Sequence, residues 1–162
     1  FLMPIISILM FLIFLIIPKI DPLKANIQKF RKYFDTFIVL IMGFLFYIYL
    51  LTIFWNLGIK FNFTQFLVPA LAVLFYYAGI LIQNAKRNWF IGIRTPWTLS
   101  NEKVWEKTHK LGGKLFKAAG IIALLGIIIP KYALFFIIVP VFAIAIFATV
   151  YSYLEYQKEV KK

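Results

Sequence analysis

With 63% hydrophobic and only 15% charged side chains, this chain of 162 residues carries more apolar surface than a soluble fold of its size can hide, since soluble domains run at about 45–50% apolar and about 25% charged. Its formal net charge of +12 would suit nucleic acid. The cations stand between apolar runs, however, where anionic lipid and membrane topology account for them, so no direct nucleic-acid binding is expected.

The absence of Cys excludes a disulfide framework, a thiol nucleophile and a thiolate metal site. A single His argues against a zinc centre built from protein ligands, so neither metal nor cofactor is expected. The chain starts at Phe1 rather than Met, which predicts a processed chain or a fragment. Its first apolar run has no basic segment before it and reads as a membrane span rather than a signal peptide.

Five apolar runs predict an all-α, polytopic transmembrane helical bundle forming one integral-membrane domain. They cover about residues 2–17, 37–57, 64–82, 114–129 and 132–154. Crossing roughly 30 Å of hydrocarbon takes about 20 helical residues, a length the second run meets most clearly. The first is short and ends at Pro18; the fourth is long enough only if Lys114 and Lys117 extend to the headgroups. Pro69 stands one turn into the third run, where a missing donor costs little, and Pro140 predicts a kink in the fifth. Helices are expected because they satisfy their own backbone in lipid, and alternating barrel strands are absent.

Sixteen of the Lys and Arg residues fall in alternate connections: Lys19 to Lys32, Lys86 to Lys117, and the tail with Lys158, Lys161 and Lys162. The other two connections hold only Lys60 and Lys131. The positive-inside rule then predicts a multi-pass protein of the cytoplasmic membrane, with residues 84–113 and the C-terminus in the cytoplasm.

The 84–113 connection is the longest polar stretch. Within it Ser100 is the expected N-cap of a helix, with Leu99 and Val104 as a hydrophobic staple and Glu102 near the positive end of the dipole. Pro96 predicts a rigid turn before that helix. Lys103, Lys107, Lys110, Lys114 and Lys117 recur at spacings of four and three, forming one stripe opposite Val104, Trp105, Leu111, Leu115 and Phe116. This pattern predicts an amphipathic helix lying at the surface of an anionic phospholipid membrane, with a bend at Gly112 and Gly113 before the fourth span. Arg94, between Trp89 and Trp97, is expected to stack on indole or to meet a carboxylate or lipid phosphate. Trp105 and His109 share one helix edge with Glu106. A His–Glu pair suggests acid–base chemistry, but no nucleophile or metal accompanies it, so no catalytic residue is assigned and no enzyme is expected.

Asn88, the run Gly92-Ile93-Arg94-Thr95-Pro96-Trp97-Thr98-Leu99-Ser100, and then Trp105 and His109 together resemble the signature of the SdpI-type immunity proteins. The stretch Pro18-Lys19-Ile20-Asp21-Pro22 with Asn26 resembles a segment joining two spans in longer relatives. The resemblance implies six helices in a full-length form, one span and an outside loop preceding the present five. It also implies protection of the membrane against a secreted peptide toxin, and signalling through sequestration of a cytoplasmic transcriptional repressor. On that reading Asn88, Gly92, Arg94, Thr95, Pro96, Trp97, Thr98, Trp105 and His109 bind ligand or partner.

Three other readings stand beside it. A peptide, lipid or small-molecule transporter or flippase fits the bundle, although proton-coupled carriers place ionisable groups within the membrane, and the six acidic residues here all lie outside the apolar runs. A lipid-headgroup enzyme would centre on Arg94, Glu106 and His109. An accessory subunit would use Ala119 and Ala123 for close helix packing.

Overall fold

The computed structural model describes residues 2–161, so Lys162 of the basic tail lies outside it. Its helices are α1 (Leu2–Ile20), α2 (Lys24–Lys29), α3 (Arg31–Asn56), α4 (Phe63–Asn84), α5 (Pro96–Ser100), α6 (Glu102–Ala123), α7 (Leu125–Ile128) and α8 (Ala133–Val160). Five segments are long and apolar enough to cross a membrane: Leu2–Ile20, Arg31–Asn56, Phe63–Asn84, Glu102–Ile128 and Pro130–Val160. Their outward faces carry exposed Ile, Leu, Phe and Val along most of their length. A helical bundle without an aqueous coat of polar residues is a multi-pass membrane protein.

The centre of the bundle is the antiparallel pair α4–α6. Gly79 on α4 and Gly113 on α6 face each other so closely that a Cβ on either would lie 2.5 Å from the other's carbonyl oxygen. Seven residues further along α6, a Cβ on Gly120 would meet the Ala72 carbonyl oxygen at 2.7 Å and the Tyr76 nitrogen at 2.8 Å. Small residues at heptad spacing let the two backbones touch, and in lipid this dispersion contact replaces the hydrophobic drive that water would supply. Ala119 and Ala123 are buried on the same helix.

Around that pair the remaining helices pack in turn. α8 lies against α6 and α7, with Ala133 and Ile137 joining Val68, Ala72 and Ala123 in one apolar cluster. α3 packs on α4, where the Phe37 and Tyr77 rings stack at 6.5 Å. α1 forms the edge of the bundle against α3, with Phe14 edge-on to Phe34 at 6.1 Å. A second cluster, including Ile27, Phe30, Phe34, Leu81 and Trp105, fills the end where the basic residues gather.

At the opposite end Gly58 takes φ +91° after α3, and Asn62 caps α4 by accepting from Thr64 N and Gln65 N. Phe61 there sits among Trp55, Phe63 and Phe66, and the Lys60 ammonium lies 4.5 Å from the centre of the Trp55 ring.

Several expected boundaries move. α1 continues through Pro18 to Ile20 rather than ending at the proline. α8 runs without interruption through Pro140. The fourth span is not a separate helix over 114–129: α6 begins at Glu102, continues without interruption through Gly112 and Gly113, and gives way at Leu124 to the short α7. The two glycines allow close approach to α4 and Ile93. The expected amphipathic segment is not a helix of its own: it is the first half of α6, and Val104 and Trp105 on its apolar face are buried against protein. The expected cap also shifts. α5 ends at Ser100, whose hydroxyl donates to the Trp97 carbonyl, and Asn101 takes the extended conformation and accepts from Val104 N. Leu99 and Val104 therefore do not occupy the staple positions around it.

Replacing Gly113 with Leu is expected to separate α4 from α6 and destabilise the bundle by about 1–3 kcal/mol, the usual range for overpacking. Gly43→Ala, where a Cβ meets nothing within 4 Å, should be neutral or mildly stabilising in its helix. Thermal unfolding of both variants in neutral detergent compares them.

Candidate functional site: the polar junction at the basic end

The residues singled out from the sequence converge where α1, α4, α5, α6 and α8 meet. Asn88 is fully buried. Its amide nitrogen donates to the Lys86 carbonyl (2.8 Å) and the Ile91 carbonyl (2.9 Å), while its Oδ1 accepts from Phe90 N (2.9 Å) and Ile91 N (2.6 Å). Every donor and acceptor position of one amide thus shapes a single tight turn. Asp21 reaches that turn from the end of α1. One carboxylate oxygen accepts from Trp89 N at 2.9 Å and the other from Leu23 N at 2.6 Å. Asn26 adds a bond to the Arg87 carbonyl at 2.8 Å.

From the turn the chain passes Gly92, whose φ of +116° favours glycine. The site is also closed to any side chain, because a Cβ there would overlap His109 Nε2. His109 lies flat on Trp105, ring centres 3.8 Å apart and planes 15° from parallel. Its Nε2 accepts from Ile93 N at 3.0 Å, so that nitrogen carries no proton, and its Nδ1 donates to the Trp105 carbonyl at 2.8 Å. Trp105 in turn donates from Nε1 to the Ala85 carbonyl at 2.8 Å. The pair ties both flanks of the loop to α6.

Thr95 and Thr98 form a reciprocal capping box on α5, with Pro96 at the first helical position. The Thr98 hydroxyl also donates to the Ile93 carbonyl at 2.8 Å. The Thr95 and Ser152 hydroxyls lie 2.9 Å apart, and Trp97 packs on Tyr153 with ring centres 5.1 Å apart. Two consecutive residues of α8 thereby hold the short helix.

Arg94 is exposed, and instead of stacking on an indole it donates from Nη1 to the Trp89 carbonyl at 2.7 Å. That bond follows from the turn at Asn88, which brings the carbonyl back beneath the guanidinium. Glu106 pairs with Lys86 at 3.2 Å rather than with His109. The Arg94, Glu106 and His109 side chains are therefore occupied separately and form no common centre.

The lysine stripe divides in two. Lys107 reaches α8, 2.8 Å from Glu155 and 3.1 Å from Glu159, with Lys103 at 3.7 Å from Glu159 and Lys158 at 2.7 Å from Glu155. Lys110 and Lys114 are exposed between α4 and α8 and border a recess on each side, while Lys117 turns to α4, where it donates to Gln83 Oε1 at 2.7 Å. Gln83 itself donates to the Lys110 carbonyl. Among the described residues no group of three or more His, Asp and Glu side chains is arranged to hold a metal ion.

Sequence reasoning missed Asp21, Ser152 and Glu155 as parts of the junction, since their partners stand 48 or more positions away in the chain. Two clues pointed to them: Asp21 sits directly before a proline at the end of an apolar run, and Glu155 directly follows one.

The junction falls within the region that matches a described family. The profile of the SdpI/YfhL protein family covers residues 84–152, from the end of α4 to the α8 residue that meets Thr95. The immunity protein SdpI of Bacillus subtilis (strain 168) is 31% identical over 115 residues, covering 70% of this chain. The chain belongs to the SdpI/YfhL family. It aligns with 56% of that relative's length. No solved structure matches. Within the SdpI/YfhL segment the signature residues make up the loop's internal framework, with Asn88, Thr95, Thr98, Trp105 and His109 buried, while Trp89, Phe90 and Arg94 form its exposed rim.

Asn88→Ala would strip partners from two amides and two carbonyls at a buried turn. At about 1–3 kcal/mol for an unsatisfied buried group, the loss should open the loop. Trypsin is expected to cleave after Arg94 at least about tenfold faster in this variant than in the parent chain, as followed by gel or mass spectrometry.

Proposed function

We propose that this chain protects the cytoplasmic membrane against a secreted peptide toxin, with its basic end facing the cytoplasm. The observation that carries this reading is the likeness to a curated immunity protein across 70% of the chain. The placement of ionisable groups favours it over transport. The buried Asp21, His109 and Glu155 all gather at the basic end rather than midway along the spans, where a proton- or ion-coupled carrier needs them.

In this reading the spans meet the toxin and the junction carries the response. The loop is held by α1 through Asp21, by α6 through His109 and by α8 through Ser152 and Tyr153. A peptide that binds among the spans more tightly in one helix arrangement than another shifts the loop with them. The exposed rim of Trp89, Phe90 and Arg94 is then the surface on which a cytoplasmic repressor is captured or released.

Expression of the chain in toxin-sensitive cells is expected to raise survival, and unchanged survival with the protein present in the membrane would overturn the reading. Arg94→Ala should reduce protection while leaving the yield of inserted protein unaltered, because the side chain is exposed. A Cys placed at Ser100 should resist a membrane-impermeant thiol reagent in intact cells and react after permeabilisation. Labelling from outside would reverse the orientation.

A further inference from the structure

We infer that the groove between the ends of α4 and α6 is a binding site for the headgroup of an anionic phospholipid. It encloses about 600 Å³ and is lined by Lys86, Lys110, Lys114 and Lys117, with Gln83 and Asn84 on the α4 wall and Glu106 as its one carboxylate. Glu106 is occupied by Lys86. Lys117 is held only by the neutral amide of Gln83, and Lys110 and Lys114 have no carboxylate partner among the described residues. The lysines of the same stripe that turn toward α8, Lys103 and Lys107, do meet carboxylates there. Positive charge is therefore balanced at Lys103 and Lys107 and left without carboxylates at Lys110, Lys114 and Lys117, around a recess large enough for a phosphate and its glycerol.

A second observation makes the occupant a lipid. Lys110, Lys114, Lys117, Ile121 and Leu124 follow one another at steps of four and three, so they lie on one stripe of α6. Ile121 and Leu124, with Val73, Tyr76 and Tyr77 of α4, line an apolar groove of about 250 Å³. It begins at Gly120, three residues beyond Lys117 and about 4.5 Å along the helix axis, on the same side of the α4–α6 pair. Ammonium groups at the headgroup level and an apolar channel directly beneath them match a phosphate joined to an acyl chain. A soluble anion would use only the upper half. Phosphate diesters are well suited to several lysines acting as point charges, and in the thin headgroup layer such charges are screened less than in bulk water.

The site is tested by titrating the purified full chain in neutral detergent with phosphatidylglycerol and following retained lipid by native mass spectrometry. Phosphatidylcholine and inorganic phosphate serve as parallel probes. The first phosphatidylglycerol should bind more tightly than phosphatidylcholine, and Lys110→Gln with Lys114→Gln should weaken it about tenfold or more. Lys24→Gln with Lys32→Gln removes the same charge from exposed positions outside the groove and should leave binding unchanged. Equal loss in both double variants would mean diffuse attraction to a basic surface, and no loss in the first would empty the groove; either overturns the proposal. Displacement of the lipid by an equal concentration of inorganic phosphate would reassign the groove to a soluble anion. None of these readouts involves toxin survival, so they stand or fall apart from the immunity reading.

Discussion

The contact of two bare backbones at Gly79 and Gly113 sets the geometry of the whole bundle. Because α4 and α6 touch without intervening side chains, the polar ends of both helices are drawn together. That brings Ala85 within reach of the Trp105 indole and Gln83 within reach of Lys110 and Lys117. In lipid, apolar side chains gain little by leaving one another's company for the solvent, so shape and backbone proximity decide which helices pair. The remaining helices are then placed by what this pair leaves uncovered: α8 along α6, α3 along α4, and α1 outermost.

The second constraint is polar accounting at the basic end. The 85–95 segment has no regular ladder for its amides and carbonyls, and much of it is buried, so side chains supply the partners. Asn88, Asp21, His109 and Thr98 do so with defined geometry. Gly92 and His109 show how closely the two halves of the signature depend on each other. The imidazole fills the space that a side chain at residue 92 would claim, and the freed position lets the following amide reach the ring nitrogen.

The apolar runs and their number were legible from composition and length alone, because span length is imposed by the bilayer. Helix ends were less so. Ser100 is as good a capping residue as Asn101, and only the insertion of α5, closed by its own Thr95 and Thr98 box, decides between them. The lysine stripe is periodic as read, but the apolar side opposite it meets protein at Val104 and Trp105. Periodicity identifies which residues share a face, not whether lipid, α4 or α8 lies opposite. Arg94 was likewise readable as a cation beside two indoles, while its carbonyl partner depended on a turn that Asn88 builds. Long-range ties such as Asp21 to Trp89 leave no local pattern at all.

The attachment of α5 to adjacent residues of α8 has a mechanical consequence. Ser152 and Tyr153 point from the final helix about 100° apart around its axis, one gripping the Thr95 hydroxyl and the other the Trp97 ring. Rotation of that helix would therefore disturb a hydrogen bond and a ring contact together. The short helix is thus coupled to the angular setting of the last span at two points rather than one.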